Sequence, residues 1–205
     1  MTRPVRKPEE APVRDQIIAA ASSVFSERGY ESSSLKSIAK RANITPAGIY
    51  YHFENKQALL FECLRLAIIG LTGACAREVE RRATPEDRLR AYVKTHIAYQ
   101  LEEISDVTAV YTRWMYAGKS ESRKLGDRER QALRSLEVVH YRNLKRILNG
   151  GALTGTFDVE DASLTAFAII GMCEHVLNWA RNPGRLTSAE IGDRFAGYAL
   201  RMVRA

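Results

Sequence analysis

The chain has 205 residues, of which 45% are hydrophobic, enough to bury a sizeable core in one or two domains and too apolar for a disordered or fibrous class. A formal net charge of +7 favours a polyanionic partner without choosing among DNA, RNA and an acidic lipid surface. The three cysteines, Cys63, Cys75 and Cys173, are odd in number and lack paired metal-type spacing, which argues for reduced core thiols over a disulfide framework or a zinc site.

The first twelve residues, MTRPVRKPEEAP, offer nothing to bury and carry no apolar segment of the kind that directs secretion. They read as a disordered basic arm over 1–12, a solvated tail unless Arg3, Arg6 and Lys7 touch phosphate or the minor groove. No apolar run long enough to span a bilayer is expected, so the reading is of a soluble cytoplasmic protein without a membrane partner. From Val13 to Arg28 the residues Ile17, Ala20, Ala21, Val24 and Phe25 form one helical stripe that Gly29 stops. Ser34 then caps a short helix carrying Leu35, Ile38, Ala39 and Ala42, with Lys36 near its start, and Asn43 breaks it. Thr45 caps a second short helix that begins at Pro46, where the missing N–H costs nothing. This helix is small in front (Ala47, Gly48) and aromatic behind (Tyr50, Tyr51, His52, Phe53). Its front can approach DNA closely, while hydroxyls and an imidazole one turn later reach phosphates and base edges. Asn55 opens a long helix through about Arg82 with Lys56 in its first turn. The free N–H groups and positive dipole end there suit a phosphate.

At these residues the sequence resembles the TetR family of bacterial transcriptional repressors. The matching positions are Phe25, Gly29, Tyr30, Ser34, Ile38, Ala39, Ile44, Thr45, Ile49, Tyr50, Phe53 and Lys56, and the resemblance covers about the first quarter of the chain. It implies that Tyr50 and Lys56 hold phosphates and that Ala47, Gly48 and Tyr51 face bases. The full expected DNA-binding set is Ser34, Lys36, Thr45, Pro46, Ala47, Gly48, Tyr50, Tyr51, His52 and Lys56, within a helix-turn-helix domain over 13–58.

Beyond Arg82 the pattern stays helical. Thr84 and Pro85 open a helix from Glu86 to about Glu103, Asp106 opens another to about Tyr116, and a long amphipathic helix runs from about Lys124 to Leu148, ended by Asn149, Gly150 and Gly151. Asp158 is expected to cap a helix from Val159 to about Arg181, with Asp161 completing a weak capping box. Thr187 with Glu190 caps the last, to about Met202. No strand is expected. The fold class is all-α, about nine helices, with a three-helix helix-turn-helix head and a ligand-binding and dimerisation body over 59–205.

On otherwise apolar faces of this body stand Tyr92, His96, Tyr99, Tyr111, Arg113, Trp114, His140, Tyr141, Asn178, Trp179 and Arg181. Singly, each reads as an ordinary core residue. As a group they supply the few directed polar contacts that an organic effector needs inside an apolar cavity. Arg113 beside Trp114 would suit an anionic or thioester ligand. The stretch from Glu174 to Leu200 looks like the end of an acyl-coenzyme A-responsive subgroup of the same family, through Trp179, Arg181, Pro183, Gly184, Leu186 and Thr187. That likeness makes an acyl-CoA thioester the preferred effector, with another hydrophobic small molecule as the alternative.

The family resemblance also implies a homodimer formed by a four-helix bundle of the last two long helices. Phe167, Ile170, Gly171, Leu177, Phe195, Ala199 and Met202 offer apolar faces with small residues for it. No hydrolase elbow, zinc-protease motif or phosphate loop is present; Gly150, Gly151 and Gly155 follow no strand, and Glu174 and His175, as helix neighbours, point about 100° apart. The expectation is a ligand-responsive repressor, not an enzyme, with no cofactor or metal. Its partners are a palindromic double-stranded DNA operator, a hydrophobic effector and a second copy. The competing reading is an architectural or protein-docking DNA-binding module without an effector.

Overall fold

The computed structural model describes residues 12–101, 110–111, 124–180 and 186–204. Helix α1 spans Val13–Arg28 and ends at Gly29, whose φ of 78° and ψ of 165° belong to glycine alone. Helix α2, Leu35–Arg41, starts at Ser34: the Ser37 amide donates to Ser34 Oγ at 3.1 Å and the Ser34 amide to Ser37 Oγ at 3.2 Å. Asn43 takes φ 54°, the left-handed conformation that asparagine tolerates, and turns the chain so that the Ile44 amide donates to the Ala39 carbonyl at 3.0 Å. Helix α3, Pro46–His52, is capped by Thr45, whose Oγ1 accepts from the Gly48 amide at 3.2 Å. These devices hold α2 and α3 across a tight turn over α1. Ile17, Ala21, Phe25, Ile38, Ala39 and Ile49 are buried between them.

Helix α4, Lys56–Glu80, is capped by Asn55, and its first half closes the head with Leu59, Leu60, Cys63 and Leu64. By length and composition α4 is apolar enough to cross a membrane, which corrects the expectation that no such run exists; half of its apolar window is buried inside the protein. Its second half enters the body, where Leu71 and Cys75 join a second core with residues of α5 (Pro85–Leu101), α6 (Asp127–Leu153), α7 (Ala162–His175) and α8 (Ser188–Met202). A short 3-10 turn, Val176–Asn178, follows α7. All three cysteines are free and buried. The described residues contain eight α-helices and no strand beyond one isolated antiparallel bridge between Phe157 and Arg204. The all-α expectation holds, and the helix expected from Asp106 to Tyr116 falls almost wholly outside the described residues.

Several boundaries differ from expectation, among them the end of α7 at His175 rather than about Arg181. Helix α6 begins at Asp127 rather than Lys124, because the Gly126 amide donates to Glu129 Oε2 at 2.7 Å and fixes the first turn there. It also runs through Asn149, Gly150 and Gly151 to Leu153. The actual stop is Gly155, at φ 69°, with Thr154 Oγ1 donating back to the Gly150 and Gly151 carbonyls. Gly151 is instead a packing residue, since a Cβ there would run into the Phe157 ring. Helix α7 starts at Ala162, not Val159: Asp161 Oδ1 accepts from the Ser163 and Leu164 amides at 2.7 and 3.2 Å, whereas the Asp158 amide bonds to the Val203 carbonyl.

The two helical glycines therefore separate by experiment. Gly151→Ala is expected to cost about 1–3 kcal/mol through the clash with Phe157. Gly150→Ala, which points into open space, should be neutral or stabilise by up to about 1 kcal/mol. Urea denaturation of the two variants against the parent reads both.

Candidate functional site

The head presents one solvent-facing edge made by the start of α2 and the front of α3. Ser34, Lys36, Thr45, Pro46 and Ala47 are exposed, Gly48 and His52 are half-buried, and Tyr50 and Tyr51 stand out with 60% and 86% of their surfaces free. Ile49 is the buried residue of α3, so the rest of that helix, with Pro46, Ala47, Tyr50 and Tyr51, faces outward. Tyr51 meets the His52 ring edge-on at 4.9 Å. Two apolar-bodied rings with polar tips, next to a front without bulk, form a surface suited to a nucleic-acid groove.

Lys56 does something the sequence did not announce. Its Nζ donates to the Tyr30 and Ser33 carbonyls at 2.8 and 2.9 Å and lies 4.2 Å from the Tyr30 ring centre. Two of its three donors thus pin the α1–α2 turn to the start of α4. The head is tied further by Glu62 on α4, buried to 6% exposure. Arg65 grips it through Nε at 2.6 Å and Nη2 at 2.7 Å, and Arg14 from α1 adds a bond at 2.7 Å. The Arg65 hydrogen bonds, helped by Arg14, hold this carboxyl below its ordinary range against the opposing effect of burial. The body also touches the head directly ahead of and within the first turn of α6. Lys124 pairs with Glu31 at 3.1 Å, and Gln57 donates to Glu129 Oε2 at 2.5 Å.

Further along α6 lies a cavity of about 290 Å³, lined by Ile68 and Leu71 of α4, Glu137, His140 and Tyr141 of α6, Phe167, Ile170, Gly171 and Glu174 of α7, and Tyr111. Of the expected ligand-binding residues, Tyr111, His140 and Tyr141 are on its wall. Tyr92 and His96 stand behind His140: Tyr92 Oη is 2.7 Å from His140 Nε2, which is 3.3 Å from His96 Nδ1, and Gln100 Nε2 is 3.0 Å from His96 Nε2. Burial, with a smaller effect of His140, holds His96 well below the ordinary imidazole range, and burial brings His140 down to about 4. Both rings are neutral near pH 7.

Tyr99 packs over Gly70, away from the lining. Asn178 and Trp179 do not line this cavity. Asn178 is exposed and bonds to His175 at 3.1 Å, and Trp179, half-exposed, lies against the Phe195 ring at 6.1 Å. Both follow the break of α7 at His175, which turns them outward. Arg113, Trp114 and Arg181 lie outside the described residues.

Sequence reasoning missed the two cavity carboxyls. Burial, opposed by the Tyr111 hydrogen bond, raises Glu137, and burial together with the Glu137 charge raises Glu174 to about 7. Helical spacing from His140 back to Glu137 was the available signal. Among the expected interface residues, Phe167 is 64% and Met202 47% exposed, Phe195 and Ile170 are half-buried, and Gly171 is exposed. Leu164 and Tyr198 extend this outer apolar face of α7 and α8. Ala199 is the exception, fully buried toward the subunit's own core. The side chain of Leu177 is not among those described.

A helix-turn-helix head joined by a shared helix to a cavity-bearing helical body defines a regulator that reads DNA. Residues 17–63 match the description "Bacterial regulatory proteins, tetR family", and residues 82–203 match "Tetracyclin repressor-like, C-terminal domain". The chain belongs to the TetR family, whose members are transcriptional regulators rather than enzymes. It is 44% identical over 52 residues to the transcriptional regulator UidR of Escherichia coli K12, a match that spans 25% of this chain and only 26% of UidR. It is 22% identical over 194 residues to the transcriptional repressor KstR2 of Mycolicibacterium smegmatis, covering 91% of this chain and 88% of that one. Among solved structures it superposes on the TetR family regulator PfmR from Thermus thermophilus with a TM-score of 0.77 at 28% identity, over 90% and 97% of the two chains. It superposes on AibR in complex with isovaleryl coenzyme A and operator DNA with a TM-score of 0.80 at 24% identity, over 91% and 97%.

The raised Glu174 has a sign that can be checked. Its folded pKa lies above its unfolded one, so the native state holds the extra proton between the two values. Ionising it costs stability that is fully felt above the folded pKa and is relieved as pH falls toward the unfolded value. Glu174→Gln is therefore expected to be more stable than the parent at about pH 8, with the advantage shrinking by roughly 1–2 kcal/mol at about pH 6. Parallel denaturation at the two pH values reads the difference, in which shifts from the buried histidines cancel.

Proposed function

We propose that this protein is a homodimeric, effector-responsive transcriptional repressor. The observation that carries the reading is the exposed α3 surface of Tyr50 and Tyr51, built on a head that shares α4 with a ligand-sized cavity. The proposed division is a basic arm over 1–12, a DNA-binding head over 13–58 and an effector and dimerisation body over 59–205, in a cytoplasmic protein. Two copies join through the outer apolar face of α7 and α8, with Phe167, Tyr198 and Met202 covered by the partner. Isologous pairing sets the two α3 helices one helical turn of DNA apart, about 34–36 Å, or a multiple of it, so the operator is an inverted repeat.

Within each half-site Tyr50 and Lys36 hold phosphates, while Ala47, Gly48 and Tyr51 approach bases. Lys56 contributes its remaining N–H to a phosphate and otherwise keeps the turn in place. The effector occupies the cavity between α4, α6 and α7 and displaces α4, and the heads lose register with successive grooves. The preferred effector is an acyl-CoA thioester, supported by the apolar lining and by the ligand named for AibR. Only its acyl portion belongs in the cavity, because phosphates would meet Glu137 and Glu174.

Selection from random duplexes, followed by affinity measurement at matched salt, tests the DNA assignment. Tyr50→Ala and Lys36→Ala are expected to weaken every operator sequence about equally, and Lys36→Ala, which removes a cation, to flatten the salt dependence as well. Tyr51→Ala should instead change which bases are preferred, at about 1–3 kcal/mol per site; an unaltered preference removes it from the base-reading set. Sedimentation of Phe167→Glu tests the dimer, with monomers expected at concentrations where the parent is dimeric.

A further inference from the structure

Helices α6 and α7 run antiparallel beside the cavity, and the chemistry of their seam changes in one direction. At one end the charge of Glu137 acts on Glu174, and both line the cavity. One turn on along α6, the Tyr141 ring lies against Phe167 with centres 4.6 Å apart. One turn further, Lys145 Nζ donates to Ser163 Oγ at 2.7 Å. The order along the seam is acid, aromatic, base. Across the cavity Ile68, Leu71, Tyr111 and His140 form a buried floor, whereas Phe167 and Gly171 are its exposed lining residues among those described. The space thus opens at the aromatic rung, with carboxyls to one side of the opening and a cation to the other.

Lys145 does not stand alone. Val138, Tyr141, Arg142 and Lys145 are spaced i, i+3, i+4 and i+7 and form one stripe along the shoulder of α6. Arg142 is exposed and makes no ion pair with a carboxylate among the described residues, and the same holds for Arg146 four residues on. Two like charges at that spacing disfavour a helix unless something neutralises them. Lys145 is partly balanced by Asp161, whose capping carboxyl is held low by the Leu164 and Ser163 amides and, to a smaller extent, by Lys145. Arg142 is the cation with uncompensated charge, and Lys145 is the one already in place beside the opening.

An apolar chain fits between Ile68, Leu71 and Ile170. A charged group cannot follow it inward, because an anion there would sit beside two carboxyls and away from water. We infer that the effector is an anionic amphiphile whose charged end lies outside the cavity on Arg142 and Lys145, past the Tyr141–Phe167 pair, while its apolar end fills the space within. The guanidinium of Arg142 can take two oxygens of the anion at once, and Lys145 adds a point charge. A phosphate of an acyl-CoA and the carboxylate of a long fatty acid present the same chemistry to this shoulder. The inference rests on the reading of the cavity as the effector site and adds where the charged end of the ligand is held.

Octanoyl-coenzyme A, the neutral octanoyl-pantetheine and hexadecanoate are titrated into protein carrying ¹³C-methyl isoleucine and leucine, in which the methyls of Ile68, Leu71 and Ile170 report occupancy of the cavity. Arg142→Gln/Lys145→Gln is expected to bind octanoyl-coenzyme A about tenfold more weakly than the parent and to flatten the fall of that affinity with salt. Its affinity for octanoyl-pantetheine should stay within about twofold of the parent's. Arg142→Gln alone should give part of the loss and Arg142→Lys little of it. Arg128→Gln, exposed at the start of the same helix, should leave all the affinities unaltered. A loss confined to hexadecanoate identifies the anion as a carboxylate and upholds the shoulder as its site. Undiminished affinity of the double variant for both anions, an equal loss with octanoyl-pantetheine, or an equal loss in Arg128→Gln overturns the assignment and leaves the cavity reading standing. Methyls of the parent that stay unmoved with every compound overturn the cavity reading, and the assignment with it.

Discussion

Everything in this molecule depends on α4 belonging to two cores at once. Leu59, Leu60, Cys63, Leu64, Ala67 and Ile68 belong to a core that fills the head and reaches Val110, Tyr111, Leu125 and Leu133, while Leu71 and Cys75 pack in the second core, within the body. A helix of 25 residues is a rod of roughly 37 Å, and close-packed cores at both ends do not stretch or shear gradually. Any rearrangement around Leu71 must either be resisted there or reappear as a tilt at Leu59. The cavity lies against the junction, lined by Ile68 from the first core and Leu71 from the second. Few positions along the rod would give a bound molecule comparable purchase on the head.

A second tie makes the coupling two-sided. Helix α6 carries Glu137 and His140 on the cavity wall and, two to three turns earlier, Glu129, which receives Gln57 from the first turn of α4; Lys124, just ahead of the helix, reaches Glu31. The exposed parts of these contacts add little to stability. Their value is geometric: they set where the start of α6 sits relative to the α1–α2 turn, which Lys56 also holds. Head orientation is thus fixed by α4 through apolar packing and by α6 through polar contacts. A molecule held between the two helices, as proposed for the effector, would push on both.

The head was legible in the sequence because its signals are local. Ser34, Thr45, Asn55 and Pro46 each declare a helix start within four residues, and the structure has them as caps and first position. The body was legible in its helices but not in its sites. Asn149, Gly150 and Gly151 look like a stop, yet the contact that keeps them helical is with Phe157, beyond the turn. Asp158 and Asp161 are equivalent caps in sequence, and only the pairing of Asp158 with Val203 decides between them. Glu137 was passed over because a glutamate on a helix normally faces water, and Glu174 was weighed only as a partner of its neighbour His175. Their burial is produced by the packing of α6 against α7, which no periodicity within either helix reveals. Ala199, buried in the subunit's own core, and Trp179, against Phe195, make the complementary point that helical spacing names an apolar face without saying which neighbour covers it.

The distribution of buried polar groups separates support from function. Glu62 is as buried as His140, but its carboxyl receives three hydrogen bonds from two arginines, and its charge is held by them. It belongs to the frame of the head, where a satisfied network adds rigidity. At the cavity the pattern reverses. Two carboxyls share a wall, both pushed toward their neutral forms, and a buried imidazole has one nitrogen without a partner among the described residues. An interior selected for stability alone would replace such groups with aliphatic ones at no cost to packing. Their concentration around one space, beside the helix that both cores share, is what the proposed effector site would require.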